Sequence, residues 1–105
     1  MNPAPEARFS GPLPRIELII PALNEEPSIA RVLAELPAGL YWRILVVDNG
    51  STDRTAEVAR AGGASVIEEP RRGYGSACLR ALAALDPQTE IVVFMDADAS
   101  DVPAE

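Results

Sequence analysis

Short apolar runs alternate with amphipathic stretches along this chain. Ile16 to Ile20, Ile44 to Val47, Ser65 to Glu68 and Ile91 to Met95 are β-branched or apolar runs bounded by turn residues, the pattern of short strands buried in a sheet. Behind Pro27, which suits a first helical turn, Ile29, Val32, Leu33 and Leu36 recur at i, i+3, i+4 and i+7, so a helix is predicted there that stops before Pro37. A second helix is predicted over Thr52 to Ala61, with Ser51 or Thr52 as its cap, Asp53 and Glu57 near its positive end, and Gly62-Gly63 closing it. A third is predicted over Ser76 to Leu85, with Cys78, Leu82 and Leu85 along one buried stripe. Strands and helices in strict alternation call for parallel pairing through right-handed crossovers, hence an α/β, Rossmann-like sheet with helices on both faces. Residues 1–14 carry Pro3, Pro5, Pro12, Pro14 and Gly11, which can neither pair in a sheet nor hold a helix. They are expected to form a flexible leader to a single domain over residues 15–105.

Composition then removes several chemistries. Histidine is absent and all nine basic residues are arginine, which excludes a Ser-His-Asp triad, a histidine metal ligand, a lysine Schiff base and a P-loop lysine. The net charge of -7 would repel phosphate backbones and anionic headgroups, so nucleic acid is not the expected partner. No run approaches the roughly 18 apolar residues of a membrane span, so no span is expected and any membrane contact would be peripheral. The single cysteine, Cys78, cannot form an internal disulfide; it reads as a core residue of a cytoplasmic protein.

In parallel sheets, ligands bind beyond the carboxyl ends of the strands. Three of those ends are acidic here: Asn24-Glu25-Glu26 follows the first strand, Asp48-Asn49-Gly50-Ser51-Thr52-Asp53 the second, and Asp96-Ala97-Asp98 the fourth. Two carboxylates at i and i+2 on an extended chain project to one side and can share a hard cation. Mg²⁺ or Mn²⁺ held this way keeps open positions for diphosphate oxygens. Asp48 has two readings: it accepts hydrogen bonds from a nucleobase or ribose, or Asp-Asn-Gly-Ser is simply good turn chemistry. Asn24 and Glu25 likewise read either as pocket residues or as the start of a helix. The turn Glu69-Pro70-Arg71-Arg72-Gly73-Tyr74-Gly75-Ser76 lacks dinucleotide-fingerprint spacing, but its backbone N–H groups and two arginines could balance phosphate charge.

Pro21-x-x-Asn24-Glu25, Val46-Val47-Asp48-Asn49-Gly50-Ser51-x-Asp53, Gly73-Tyr74-Gly75-Ser76-Ala77 and Phe94-Met95-Asp96-Ala97-Asp98 together resemble the family 2 glycosyltransferases of GT-A fold. The resemblance covers the nucleotide-sugar-binding, N-terminal half of such a domain. It implies inverting, metal-dependent sugar transfer from a UDP- or GDP-linked donor. Pro21, Asn24 and Glu25 would line the nucleotide pocket, Asp48 would hold the base and Asp53 would support that loop. Asp96 would lie at the ribose or metal, and Asp98 on the metal itself. The chain is also similar to the polyprenyl-phosphate sugar transferases, although Ser100-Asp101-Val102 and Tyr74 depart from their usual residues. No catalytic base is assigned, because the acceptor half has no counterpart here. The alternative to an enzyme is a catalytically inactive nucleotide-binding fragment. A last expectation follows from the missing half: the apolar strand Ile91 to Met95 becomes an exposed edge through which the chain self-associates.

Overall fold

The computed structural model describes residues 13–98. Most of the expected leader, and the chain after Asp98, lie outside the described residues. The elements are β1 (Ile16–Ala22), α1 (Glu26–Ala34), β2 (Arg43–Asp48), α2 (Thr55–Ala61), β3 (Ser65–Glu68), α3 (Tyr74–Ala83) and β4 (Ile91–Phe94). The four strands form one sheet in the order β3-β2-β1-β4. All three pairings are parallel, as the strand-helix alternation requires. Ile20 lies opposite Val46 in β2, and Leu18 opposite Val93 in β4.

Alternation along the central strands feeds two separate cores. Leu18, Ile20 and Val46 pack with Ile29, Val32 and Leu33 of α1 and Ala59 of α2 on one face. Ile19, Leu45 and Val47 pack with Ala77 and Ala81 of α3 on the other. Residues 18–20 and 45–47 are fully buried, each large aliphatic side chain contributing about 1.5–3 kcal/mol.

The stripe predicted on α3 differs from the observed one. Ala77 and Ala81 face the sheet, Leu85 packs beside them, Cys78 is only partly buried, and Leu82 is 46% exposed. Small side chains let the helix sit close to the sheet, so the contact within α3 is made by alanines spaced i, i+4 while Leu79 and Leu82 point away.

At the amino ends of the strands, far from the acidic loops, Glu17 is fully buried within β1. Its Oε1 accepts from the Thr89 hydroxyl (2.7 Å) and the Asp86 N–H (3.3 Å), which fixes the turn leading into β4. Arg43 Nε stands 3.2 Å from Glu17 Oε2, an ion pair whose two atoms are not aligned as a hydrogen bond.

Candidate active site

The carboxyl edge of the sheet is built from three loops tied to one another. Asn24 ends the turn after β1 with φ +53°, a left-handed conformation that asparagine tolerates better than most residues. Its Oδ1 accepts from the Thr52 N–H (2.8 Å) and the Asp53 N–H (3.3 Å), and its own N–H donates to Ser51 Oγ (2.9 Å). Glu25 N–H donates to Thr55 Oγ1 (2.9 Å). Glu26 N–H donates to Asp53 Oδ2 (3.2 Å), while Glu26 Oε1 accepts from Arg54 N–H (3.0 Å), a reciprocal pair between the loop after β1 and the loop after β2.

These bonds explain why α2 begins at Thr55, three residues later than the sequence pattern predicts. Ser51 and Thr52 do not cap the helix; they are spent on Asn24. The first-turn role passes to Asp53, whose Oδ1 accepts from both the N–H and the hydroxyl of Thr55. The hydroxyl of Thr55, followed by its N–H and that of Glu26, holds the Asp53 carboxyl below its ordinary value, against the opposing effect of desolvation. Asp53 thus ties the loop after β2 to Glu26 at the start of α1 and to the first turn of α2.

Asp48, at the end of β2, is 7% exposed, and its Oδ1 accepts from the Ser51 N–H (3.0 Å). Turn chemistry and site placement coexist there. The same carboxylate lines a small cavity of about 120 Å³ with Gly50, Ser51, Glu68 and Pro70. A larger cleft of about 340 Å³ adjoins it, lined by Pro21, Leu23, Glu25, Arg72, Gly73 and Tyr74 among others. Two predicted residues, Pro21 and Glu25, thus face one cleft, whereas the Asn24 carboxamide oxygen is engaged in holding the loops together.

The third acidic loop joins through α1. Ser28 Oγ lies 3.0 Å from Glu25 Oε1 and 3.1 Å from the Ala97 carbonyl. β4 stops at Phe94, so Asp96 and Asp98 stand beyond the strand and not on extended chain as the spacing predicts. Both aspartates are exposed, while Ala97 between them is buried at 4%. Among the described residues no cluster of three metal-binding side chains occurs. Two carboxylates suit a cation that completes its shell with phosphate oxygens.

Tyr74 connects this loop to the cleft. Partial desolvation, then the neighbouring Cys78 and the Asp96 carboxylate, push its phenol above the ordinary value of 10.0. The ring is 58% exposed, so the desolvation is partial and Asp96 is close enough to be felt through solvent.

Residues 17–104 match the model of the family described as glycosyl transferase family 2. The chain belongs to that family. Within it, the chain is 52% identical over 85 residues to an uncharacterized glycosyltransferase of Mycobacterium tuberculosis, a match covering 81% of this chain and 37% of the relative. It is 43% identical over 94 residues to glucosyl-3-phosphoglycerate synthase of the same organism, covering 79% of this chain and 28% of that enzyme. The crystal structure of that synthase with Mn²⁺, uridine diphosphate and glucosyl-3-phosphoglycerate superposes with a TM-score of 0.71 at 39% identity, over 88% of this chain and 36% of the other. The chain therefore spans about a third of the length of these relatives. Its sheet is the Rossmann-like part of their GT-A architecture. Among the described residues no helix is long and apolar enough to cross a membrane.

The sequence pattern left out Ser28, Thr55 and Glu26, which tie the three loops together, and Asn49, whose side chain turns inward. Ser28 and Glu26 look like ordinary helix-start residues in sequence. Only their partners, 28 to 69 residues away, give them a role in the site.

Proposed function

We propose that this chain is the nucleotide-sugar-binding part of an inverting, divalent-metal-dependent glycosyltransferase whose donor is UDP-linked. The observation that carries the reading is the hydrogen-bonded rim that brings Pro21, Glu25, Asp48 and the Asp96-Ala97-Asp98 turn to one edge beside a cleft. The UDP and Mn²⁺ named for the solved synthase support uridine diphosphate and a divalent ion as its occupants. Asp48 would accept hydrogen bonds from the base or ribose, with Asn24 and Asp53 keeping its loop in place. Pro21 and Glu25 would wall the nucleotide, and Asp96 would face the ribose or share the cation with Asp98. Mg²⁺ or Mn²⁺ bound there supplies a Lewis acid for the charge that grows on the departing diphosphate. The solved neighbours named for glucosyl-3-phosphoglycerate favour a small phosphorylated acceptor over the polyprenyl phosphate that the resemblance implies. No side chain is assigned as catalytic base, so the 105-residue polypeptide is expected to bind nucleotide and, by itself, not to transfer sugar.

Calorimetric titration of UDP and GDP, each with Mn²⁺ and with EDTA, tests the reading. UDP is expected to bind more tightly with Mn²⁺, and Asp98→Ala is expected to remove that difference, since no histidine can substitute. Equal binding with and without EDTA by the unaltered chain would overturn the metal assignment.

A further inference from the structure

Asn49 follows the last residue of β2 and is 6% exposed, yet no chemistry of the site described so far uses its side chain. Its main-chain N–H donates to the Ala22 carbonyl (2.8 Å), holding it against the end of β1. Its carboxamide reaches the other way. Nδ2 donates to the carbonyls of Glu69 and Arg71, both at 2.8 Å, and Oδ1 accepts from the Gly73 N–H at 3.0 Å. Three backbone groups of one turn are thus satisfied by one buried side chain. That requires two donors and an acceptor in a planar group. Aspartate would set a carboxylate oxygen against two carbonyl oxygens, and serine would be too short.

The turn so held carries Arg72, the one cation among the residues lining the cleft. A Cβ at Gly50 would meet Arg72 Nε at 3.4 Å, so the arginine lies over Gly50, between the cleft and the small cavity at Asp48. Elsewhere this edge is acidic, with Glu25, Asp48, Asp96 and Asp98 on a chain of net charge -7. A diphosphate entering it is repelled unless a positive group is correctly placed.

We propose that Asn49 is a positioning residue for phosphate recognition: its carboxamide fixes the turn of residues 69–73 so that Arg72 faces the diphosphate of the bound nucleotide. The inference rests on the nucleotide reading above and goes beyond it by assigning how the cleft's cation is placed. Asn49 also lines the cleft, but its carboxamide is committed to the backbone of the turn, so the role proposed for it is exerted through Arg72.

The test uses the whole chain with Mn²⁺, calorimetry for UDP, and ligand-observed NMR for uridine, which lacks the phosphates. Asn49→Ala and Arg72→Ala are each expected to weaken UDP binding by about tenfold, the size of one charge-assisted hydrogen bond, while uridine binding stays within about twofold. The double variant is expected to be no weaker than Arg72→Ala alone. Should Asn49→Ala melt too low to titrate, Asn49→Asp carries the same comparison. Losses that are equal for UDP and uridine, or that add in the double variant, would overturn the proposal by making Asn49 a general structural residue or an independent contact. Unaltered UDP affinity in the Asn49 variants would overturn it too. If the unaltered chain does not bind UDP, it is the nucleotide reading that falls, and this inference with it.

Discussion

Two carboxylates show how differently the same group can be used in this chain. Glu17 is wholly buried and balanced by Arg43, so removing the arginine strands a charge in the core. Arg43→Ala is expected to cost about 3 kcal/mol in urea unfolding at neutral pH, the low end of the usual range because Arg43 is a quarter exposed. Asp53 sits near the surface, and its stabilising effect comes from accepting three hydrogen bonds. Because its folded pKa lies below the ordinary 3.8, the contribution is present above that value and lost as the pH falls through the depressed one. Thermal melts of the unaltered chain and of Asp53→Asn are therefore expected to differ at neutral pH and to converge as the pH falls through the depressed carboxyl value. The role of Glu17 was not legible in the sequence, and that of Asp53 was implied only by the family resemblance. Glu17 reads as the polar step of an alternating strand, and Asp53 as one acid in a helix's first turn. What decides both is the partner: the Asp86 N–H and the Thr89 hydroxyl for one, Glu26 and Thr55 for the other. Periodicity reports no such partner, whether it lies two residues on, as Thr55 does from Asp53, or tens of residues away, as Glu26 does.

At the scale of elements the sequence was far more readable. Four strands and three helices fall where the alternation of apolar and amphipathic segments puts them, because each strand end is marked by turn residues and each crossover demands a parallel neighbour. The departures occur where an element serves the site or packs closely. α2 starts late because its leading residues bond to Asn24, and α3 seats on alanines because it lies close to the sheet. The second case gives a paired prediction. Ala81→Leu is expected to destabilise by about 1–3 kcal/mol by overpacking the seat, while Leu82→Ala, on the exposed side, changes stability by no more than about 0.5 kcal/mol. Comparable costs at the two positions would show that the leucine stripe predicted from spacing is the packed one after all. The acidic strand ends were also legible, since position relative to a strand is a local property. The bonds that turn three loops into one rim were not.

At the scale of the whole molecule, the sheet is finished unequally. β1 and β2 are covered on both faces, while β4 pairs only with β1 among the described residues and exposes Ile91 (42%), Val93 (36%) and Phe94 (40%). Leu79 and Leu82 of α3 are also exposed, at 69% and 46%. An uncharged, β-prone edge of this kind recruits another strand. The 105-residue chain is accordingly expected to self-associate in light scattering after size exclusion, and Val93→Lys to shift it toward monomer. A monomer at high concentration without the substitution would refute the role of the edge.

The knitted rim has a thermodynamic corollary. Ala97 is tied to Ser28, Thr52 to Asn24 and Gly73 to Asn49, so the site exists only when every strand from β1 to β4 is in place. A ligand seated there would be coupled through these bonds to the stability of the sheet. At a hundredfold excess over its dissociation constant, a bound nucleotide would add about 2.7 kcal/mol to global unfolding, a large share of the roughly 5–15 kcal/mol that usually separates folded from unfolded protein. On the proposed reading, occupancy and foldedness would be coupled equilibria, and a bound nucleotide would act as a structural component of the sheet as well as a ligand.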